Sequence, residues 1–382
     1  MKFDLLRTDG RARRGRLTTR HGVVETPAFM PCGTQGSVKA LSPADLREAG
    51  VAIVLANTYH LWLRPGAETV AALGGLHRFM GWDGPLLTDS GGFQVYSLAE
   101  LRKVTEEGVR FRSHLDGSEH RLTPEGAMEI QRALGADISM CLDECAPYPV
   151  AREAAERALD LTLRWAARSR SAHPGDEPAL FGIVQGGVHR DLRERGAREL
   201  QRLGFPGYAL GGLSIGESKA QTAEVLAYSA GLLPEGKPRY LMGVGAPEDL
   251  LDGIAGGIDL FDCVMPTRHA RRGSLFTARG RLSIKAARHA RDERPVEADC
   301  PCYACRTFSR AYLRHLFAAG EILALRLNTL HNVTYYMRLM ASARSAIEAG
   351  RFDEYRRETL AHLAAGPDDD GVPAGEMGAT HA

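Results

Sequence analysis

Three aspartates each follow directly on a short apolar run: Asp89 in LLTDSGGFQVYSL, Asp143 in MCLDECAPYP and Asp262 in IDLFDCVMPTR. One such aspartate alone is ordinarily a helix cap or a turn residue. Three in equivalent places point to a shared site. Paired carboxylates suit chemistry at an anomeric carbon, where one attacks and the other moves a proton. Their charge also stabilises an oxocarbenium-like carbon. A third carboxylate beside a glutamine and glycine amides suits a purine edge. The carboxylate accepts from ring N–H and amino groups, and the amides donate to a carbonyl oxygen. Guanine presents that combination, so Asp143, Gln185 and Gly212 are expected to form a base pocket. The SGG after Asp89 lacks the lysine and spacing of a phosphate-binding loop. Its glycines are read as letting a ribose or base approach the backbone. Cys145 and Cys263 adjoin two of the aspartates but have no histidine close in sequence to act as base, so they read as pocket lining.

Residues 300–305 read CPCYAC. The C-x-C-x-x-C spacing supplies three ligands of a tetrahedral zinc site and calls for a fourth. His315, in AYLRHLFAAGE, and His331, in LNTLHNVTYY, both lie downstream. His331, at the start of an apolar helical stretch, is the preferred one. With no open position or extra acid in view, one structural Zn2+ per chain is expected, tying together a segment too short to fold on core burial alone. A disulfide is disfavoured. The N-terminus MKFDLLRTDGRARRG has no apolar signal region, so a cytoplasmic location is expected, where disulfides rarely persist.

These residues need elements to position them. Apolar runs ending in a polar residue or glycine recur at 27–32, 51–58, 85–89, 137–143, 181–186, 208–212, 239–243 and 257–262. Runs of four to six apolar residues with both faces hidden are parallel strands. Helical stretches lie between them at 42–50, 123–135, 150–170, 189–204 and 218–233. Ser42 and Thr123 each precede a proline, as N-cap and N1 residues do. The alternation predicts an α/β fold, a (β/α)8 TIM barrel with an appended zinc-binding subdomain; a doubly wound open sheet is the alternative. In a barrel, Asn57, Asp89, Asp143, Gln185, Gly212, Gly243 and Asp262 would all sit on one rim. The expected organisation is an N-terminal hairpin closing the barrel (1–26), the catalytic barrel (27–287), the zinc subdomain (288–335), C-terminal helices completing the barrel (336–365) and a disordered tail (366–382). SLFTARGRLSIK (274–285) reads as a further hairpin.

The chain of 382 residues is 44% hydrophobic and 25% charged, as soluble globular proteins are. No apolar run is long enough to span a membrane. Net charge is only +1. Between Arg268 and Arg294, however, eight arginines and one lysine face only Asp292 and Glu293. Such a run is often a solvated face, but guanidinium groups also grip phosphates, which makes RNA or DNA contact the sharper reading.

Taken together, TDSGGFQV, LDECAPYP, FGIVQGG, GGLSIGE, RYLMGVG, GIDLFDCVMPTR and the C-x-C-x-x-C…H pattern resemble the bacterial tRNA-guanine transglycosylases, or queuine tRNA-ribosyltransferases, over roughly residues 1 to 360. The resemblance implies exchange of guanine at the wobble position of tRNAs with GUN anticodons (Asp, Asn, His, Tyr) for preQ1, a 7-aminomethyl-7-deazaguanine, on the way to queuosine. It implies that Asp262 is the nucleophile, forming a covalent ribosyl-aspartate, and Asp89 the general acid/base. Asp143, Gln185 and Gly212 would recognise the base, with Leu213, Met242 and Tyr240 lining the pocket. Arg268 and Arg271 would lie on the RNA side, and Cys300, Cys302, Cys305 and His331 would bind zinc. Bacterial relatives form homodimers around the zinc region. Ile215 and Cys145 match the type that takes a small side chain rather than queuine's ring. The C-terminal RNA-binding extension of archaeal relatives is not expected in this type. Arg272 departs from the family, which often has Asn there, and this bears on local RNA contacts.

Two other readings use the same residues. A glycoside hydrolase would use Asp262 and Asp89 without a base pocket, and would favour aromatic sugar platforms. Aromatics are only 7% of the chain, and few fall in the rim motifs. A non-catalytic RNA-binding partner subunit should have lost a catalytic aspartate, yet all three are present.

Overall fold

The computed structural model describes residues 1–98, 102–173, 175 and 177–366. Nearly all of the tail expected at 366–382 lies outside them. Eight parallel strands form the centre: β1 (Ala28–Pro31), β2 (Val54–Ala56), β3 (Leu86–Thr88), β4 (Ile138–Met140), β5 (Ala179–Val184), β6 (Gly207–Leu210), β7 (Arg239–Leu241) and β8 (Leu260–Cys263). The sheet runs β1-β8-β7-β6-β5-β4-β3-β2. It closes through a parallel bridge between Cys32 and Leu55 and the Gly33 N–H donating to the Leu55 carbonyl at 2.6 Å. The open doubly wound alternative is therefore excluded, and every apolar run read as a strand is one. Helices cover the outside, so the strands are buried on both faces, which is why they read as unbroken apolar runs rather than alternating ones.

The inter-strand helices start where the sequence places them. The Ser42 side chain accepts from Asp45 N, and Asp45 returns the bond, closing a capping box at Pro43–Glu48. Thr123 accepts from Gly126 N at the start of Pro124–Leu134.

The N-terminus is a three-stranded antiparallel meander, Lys2–Asp9, Ala12–Thr19 and Gly22–Thr26, rather than a simple hairpin. Two aspartates fasten it to the barrel. Asp259 and Asp137 each immediately precede a strand, β8 and β4. Asp259 accepts from Arg13 at 3.1 Å and from Arg239 N at 2.8 Å; both residues of the ion pair are buried. Asp137 accepts from His21 at 2.8 Å, and its other oxygen bonds His77 and Leu86 N. Aspartates before strands thus lie on the floor of the barrel, and those after strands lie on its rim. In this fold that division separates stability from chemistry.

Two further antiparallel units complete the structure. One, Arg102–Thr105, Gly108–Arg112 and Glu119–Leu122, is inserted between β3 and β4 and was not foreseen. The other is the foreseen hairpin, Ser274–Thr277 with Gly280–Ser283. A 28-residue helix, Ile322–Ala349, carries His331 and packs on the barrel through Tyr336, whose ring lies 4.7 Å from that of Phe29. The Asn332 side chain bonds Phe276 N, Ser274 O and Pro266 O, joining this helix to the hairpin and to the segment after β8. No helix of the described residues is long and apolar enough to cross a membrane.

Candidate active site and metal centre

The seven strand-end residues converge. Asn57, Asp89, Asp143, Gln185, Gly212, Gly243 and Asp262 all line one cavity of about 440 Å³ on the rim. Leu213, Tyr240, Met242, Arg268 and Arg271 line it as well.

Asp262, at the end of β8, is held asymmetrically. Its Oδ1 accepts from Tyr240 Oη at 2.6 Å and Gly243 N at 2.7 Å, whereas among the described residues Oδ2 receives only the Cys32 thiol at 3.5 Å. Burial pushes its carboxyl above the usual range, opposed by the Tyr240 and Gly243 donors. Oδ2 is therefore the less engaged of the two carboxyl oxygens. Asp89 accepts from the Asn57 amide on Oδ2 and from Thr58 N (2.8 Å) and Gly91 N (3.2 Å) on Oδ1. Burial outweighs these donors and pushes it up to about 6. A carboxyl titrating there can both give and take a proton near neutral pH.

Asp143 accepts from Gln185 Nε2 at 2.7 Å and from Ser90 Oγ at 3.4 Å, and burial likewise pushes it to about 6. The thiols of Cys145 and Cys263 are pushed up by burial to about 12 and about 11, so they stay protonated and line the cavity. Ser90, Phe93, Lys39 and Thr34 also line it. Of these, Lys39 and Thr34 lie beyond β1, outside the motifs singled out in the sequence.

The loop after β6 is gripped from two sides. Glu217 accepts from Ser214 N and Ile215 N. Opposite, the fully buried Arg193 donates to the carbonyls of Val184, Gly187, Gly211 and Gly212. Sequence reasoning missed Arg193, one of several arginines in the helix Arg190–Leu203. The signal was its register: Arg193 falls on the same stripe as Ala197 and Leu200, where an apolar residue belongs. Gly212 has φ +66, and an added Cβ would lie 2.4 Å from Gln185 Oε1. Its glycine identity is thus set by both conformation and space. Arg272 lies exposed and is not among the lining residues.

Cys300, Cys302, Cys305 and His331 form a buried cluster that could hold a metal ion. The three sulfurs lie 3.7, 3.9 and 3.2 Å from His331 Nδ1. Ligands on a tetrahedral zinc stand about 3.5 Å apart, given bonds of roughly 2.3 and 2.0 Å. The Nε2 of His331 meets the Phe276 carbonyl at 2.7 Å, which leaves Nδ1 facing the three sulfurs as the nitrogen that could bind a metal. His315 is exposed on the helix Arg310–Ala318 and takes no part in the cluster.

Known proteins resemble this chain over most of its length. A profile of the family described as Queuine tRNA-ribosyltransferase matches residues 8–365. A protein of that name from Solidesulfovibrio magneticus is 61% identical over 358 residues, 93% of this chain and 96% of its own. One from Thiobacillus denitrificans is 59% identical over 93% of this chain and 97% of its own. Another, from Pelotomaculum thermopropionicum, is 59% identical over 91% and 94%.

Proposed function

Since the chain belongs to the queuine tRNA-ribosyltransferase family and is a pentosyltransferase, we propose that it exchanges guanine at the wobble position of GUN-anticodon tRNAs for preQ1 through a covalent ribosyl-aspartate. One observation carries the reading. An aspartate with a free oxygen, a second titrating near neutrality and a third paired with Gln185 line a single cavity.

The wobble base leaves the anticodon stack to enter this cavity, with Arg268 and Arg271 at its edge receiving the RNA phosphates. Asp143, Gln185 and the amides at Gly212 hold the guanine edge. Asp262 Oδ2 bonds to ribose C1′ as the C1′–N9 bond breaks. The electron pair goes to guanine, and Asp89 supplies the proton it takes up. Guanine leaves and preQ1 enters the same edge site. Asp89, now a carboxylate, removes its N9 proton, and N9 displaces Asp262 from C1′. Two displacements retain the configuration, no phosphodiester is cut, and neither ATP nor a redox cofactor is consumed. Tyr240 and Gly243 hold Asp262 as it bonds and leaves, while Met242 and Leu213 wall the base. Ile215 and Cys145 among the lining residues support a small substituent on the incoming base.

The Cys3His cluster suits a structural Zn2+, which would tie the cysteine segment to the long helix. Exposed Tyr303 and Tyr312, linked through Phe308 beside that cluster, suit a homodimer contact. Action on tRNA supports a cytoplasmic location.

The test is incorporation of labelled guanine into an anticodon stem-loop containing U-G-U, with unlabelled preQ1 as competitor. Incorporation blocked by preQ1 is expected. A folded, metal-loaded protein that incorporates none would overturn the reading.

A further inference from the structure

Arg193 is 0% exposed, yet no carboxylate of the described residues lies within ion-pair distance of it. Burial draws its guanidinium down to about 10, so it is still charged at neutral pH. An unpaired buried cation is costly, and an apolar side chain would pack the same stripe with less penalty. Its four hydrogen bonds all go to main-chain carbonyls. Nη1 reaches Gly211 O at 2.8 Å and Val184 O at 3.0 Å, Nη2 reaches Gly212 O at 3.3 Å, and Nε reaches Gly187 O at 2.8 Å.

The two glycine carbonyls matter most. In a trans peptide the C=O and the N–H point in opposite directions. With the carbonyls of Gly211 and Gly212 both turned to the guanidinium, the N–H groups of Gly212 and Leu213 point away from it. Both residues line the cavity, and among the described residues neither N–H donates to the protein. Successive amides around a left-handed residue, here Gly212 at φ +66, make a concavity for an oxygen carrying negative charge. A cation on the carbonyl side also polarises each peptide and strengthens its N–H as a donor.

We propose that Arg193 is a positioning residue for base selection: it aims and polarises the Gly212 and Leu213 amides toward the 6-oxo group of the bound purine. The proposal rests on the guanine-pocket reading and deepens it. Arg193 touches no substrate and acts through the peptides it holds.

The experiment compares guanine with 2-aminopurine, which lacks the 6-oxo group, as competitors of base exchange in wild type, Arg193→Gln and Arg193→Lys. In Arg193→Gln the guanine inhibition constant should rise roughly tenfold, the scale of one charge-assisted hydrogen bond. That for 2-aminopurine should hold within about twofold. Arg193→Lys, with a charge but no fork, should fall between. Equal weakening of both bases would assign Arg193 a structural role only, and unchanged discrimination would also overturn the proposal. If Arg193→Gln does not fold, Arg193→Lys decides alone: a selective loss for guanine supports the proposal, and a wild-type ratio overturns it. Absence of exchange in the wild type would instead count against the guanine-pocket reading.

Discussion

In the proposed pocket Asp143 would meet the base with one oxygen already engaged by Gln185 at 2.7 Å, so its remaining acceptor capacity depends on being ionised. Burial sets its titration at about 6. Below that pH the carboxyl is protonated and loses acceptor strength, and above it the carboxylate is fully formed. Guanine affinity should therefore fall about tenfold per pH unit below 6 and level off above 7, with the slope absent in Asp143→Asn. An inhibition constant flat from pH 5 to 7 in the wild type would remove Asp143 as the acceptor. Asp262→Ala should still bind the RNA stem-loop yet form no covalent adduct on denaturing gels; full exchange activity in that variant would remove it as nucleophile. The residues of this site were legible because each lies at or just past the end of a strand buried on both faces, so the polar residue or glycine that closes the run marks the rim. Arg193 was not legible, because other arginines on its helix have the ordinary role of solvated charge. Asp137 and Asp259 were equally hidden: a carboxylate before a strand uses the same letter for the opposite end of the barrel.

The long helix Ile322–Ala349 links the metal cluster, the hairpin and the barrel within two turns, through His331, Asn332 and Tyr336. Asn332 also reaches Pro266, two residues before Arg268. Removing the metal should therefore loosen the segment that carries Arg268 and Arg271 before it disturbs the strands. Hydrogen exchange after chelation should rise at 265–283 and 300–331 while β5 and β6 stay protected; uniform exposure would contradict this division. Thr123→Ala, losing the cap on Pro124–Leu134, should cost about 1 kcal/mol in urea unfolding without changing base affinity. At this scale the helices and strands were readable from capping residues and apolar runs. The inserted sheet at Arg102–Leu122 was not, because its short strands alternate and are rich in charge, the pattern that also describes a loop.

Across the whole molecule, the floor and the rim divide the work. Arg13→Ala would leave Asp259 buried without its partner, and should destabilise the fold by about 3–5 kcal/mol. Base affinity of the protein that remains folded should be unchanged, which calorimetry and competition together would check. The closed barrel was predictable from eight strands alternating with helices; the way the N-terminal meander is pinned was not, since both pins join residues more than a hundred positions apart. Asp143 and Gln185 line the rim cavity together, and in the proposed reaction they would hold the departing and the arriving base in turn. In the proposed exchange the two bases cannot occupy that edge site together, so the first would have to diffuse out while the ribose stays attached to the protein. Steady-state exchange should then give parallel double-reciprocal lines when tRNA and incoming base are varied, and free guanine should compete with the very base that replaces it.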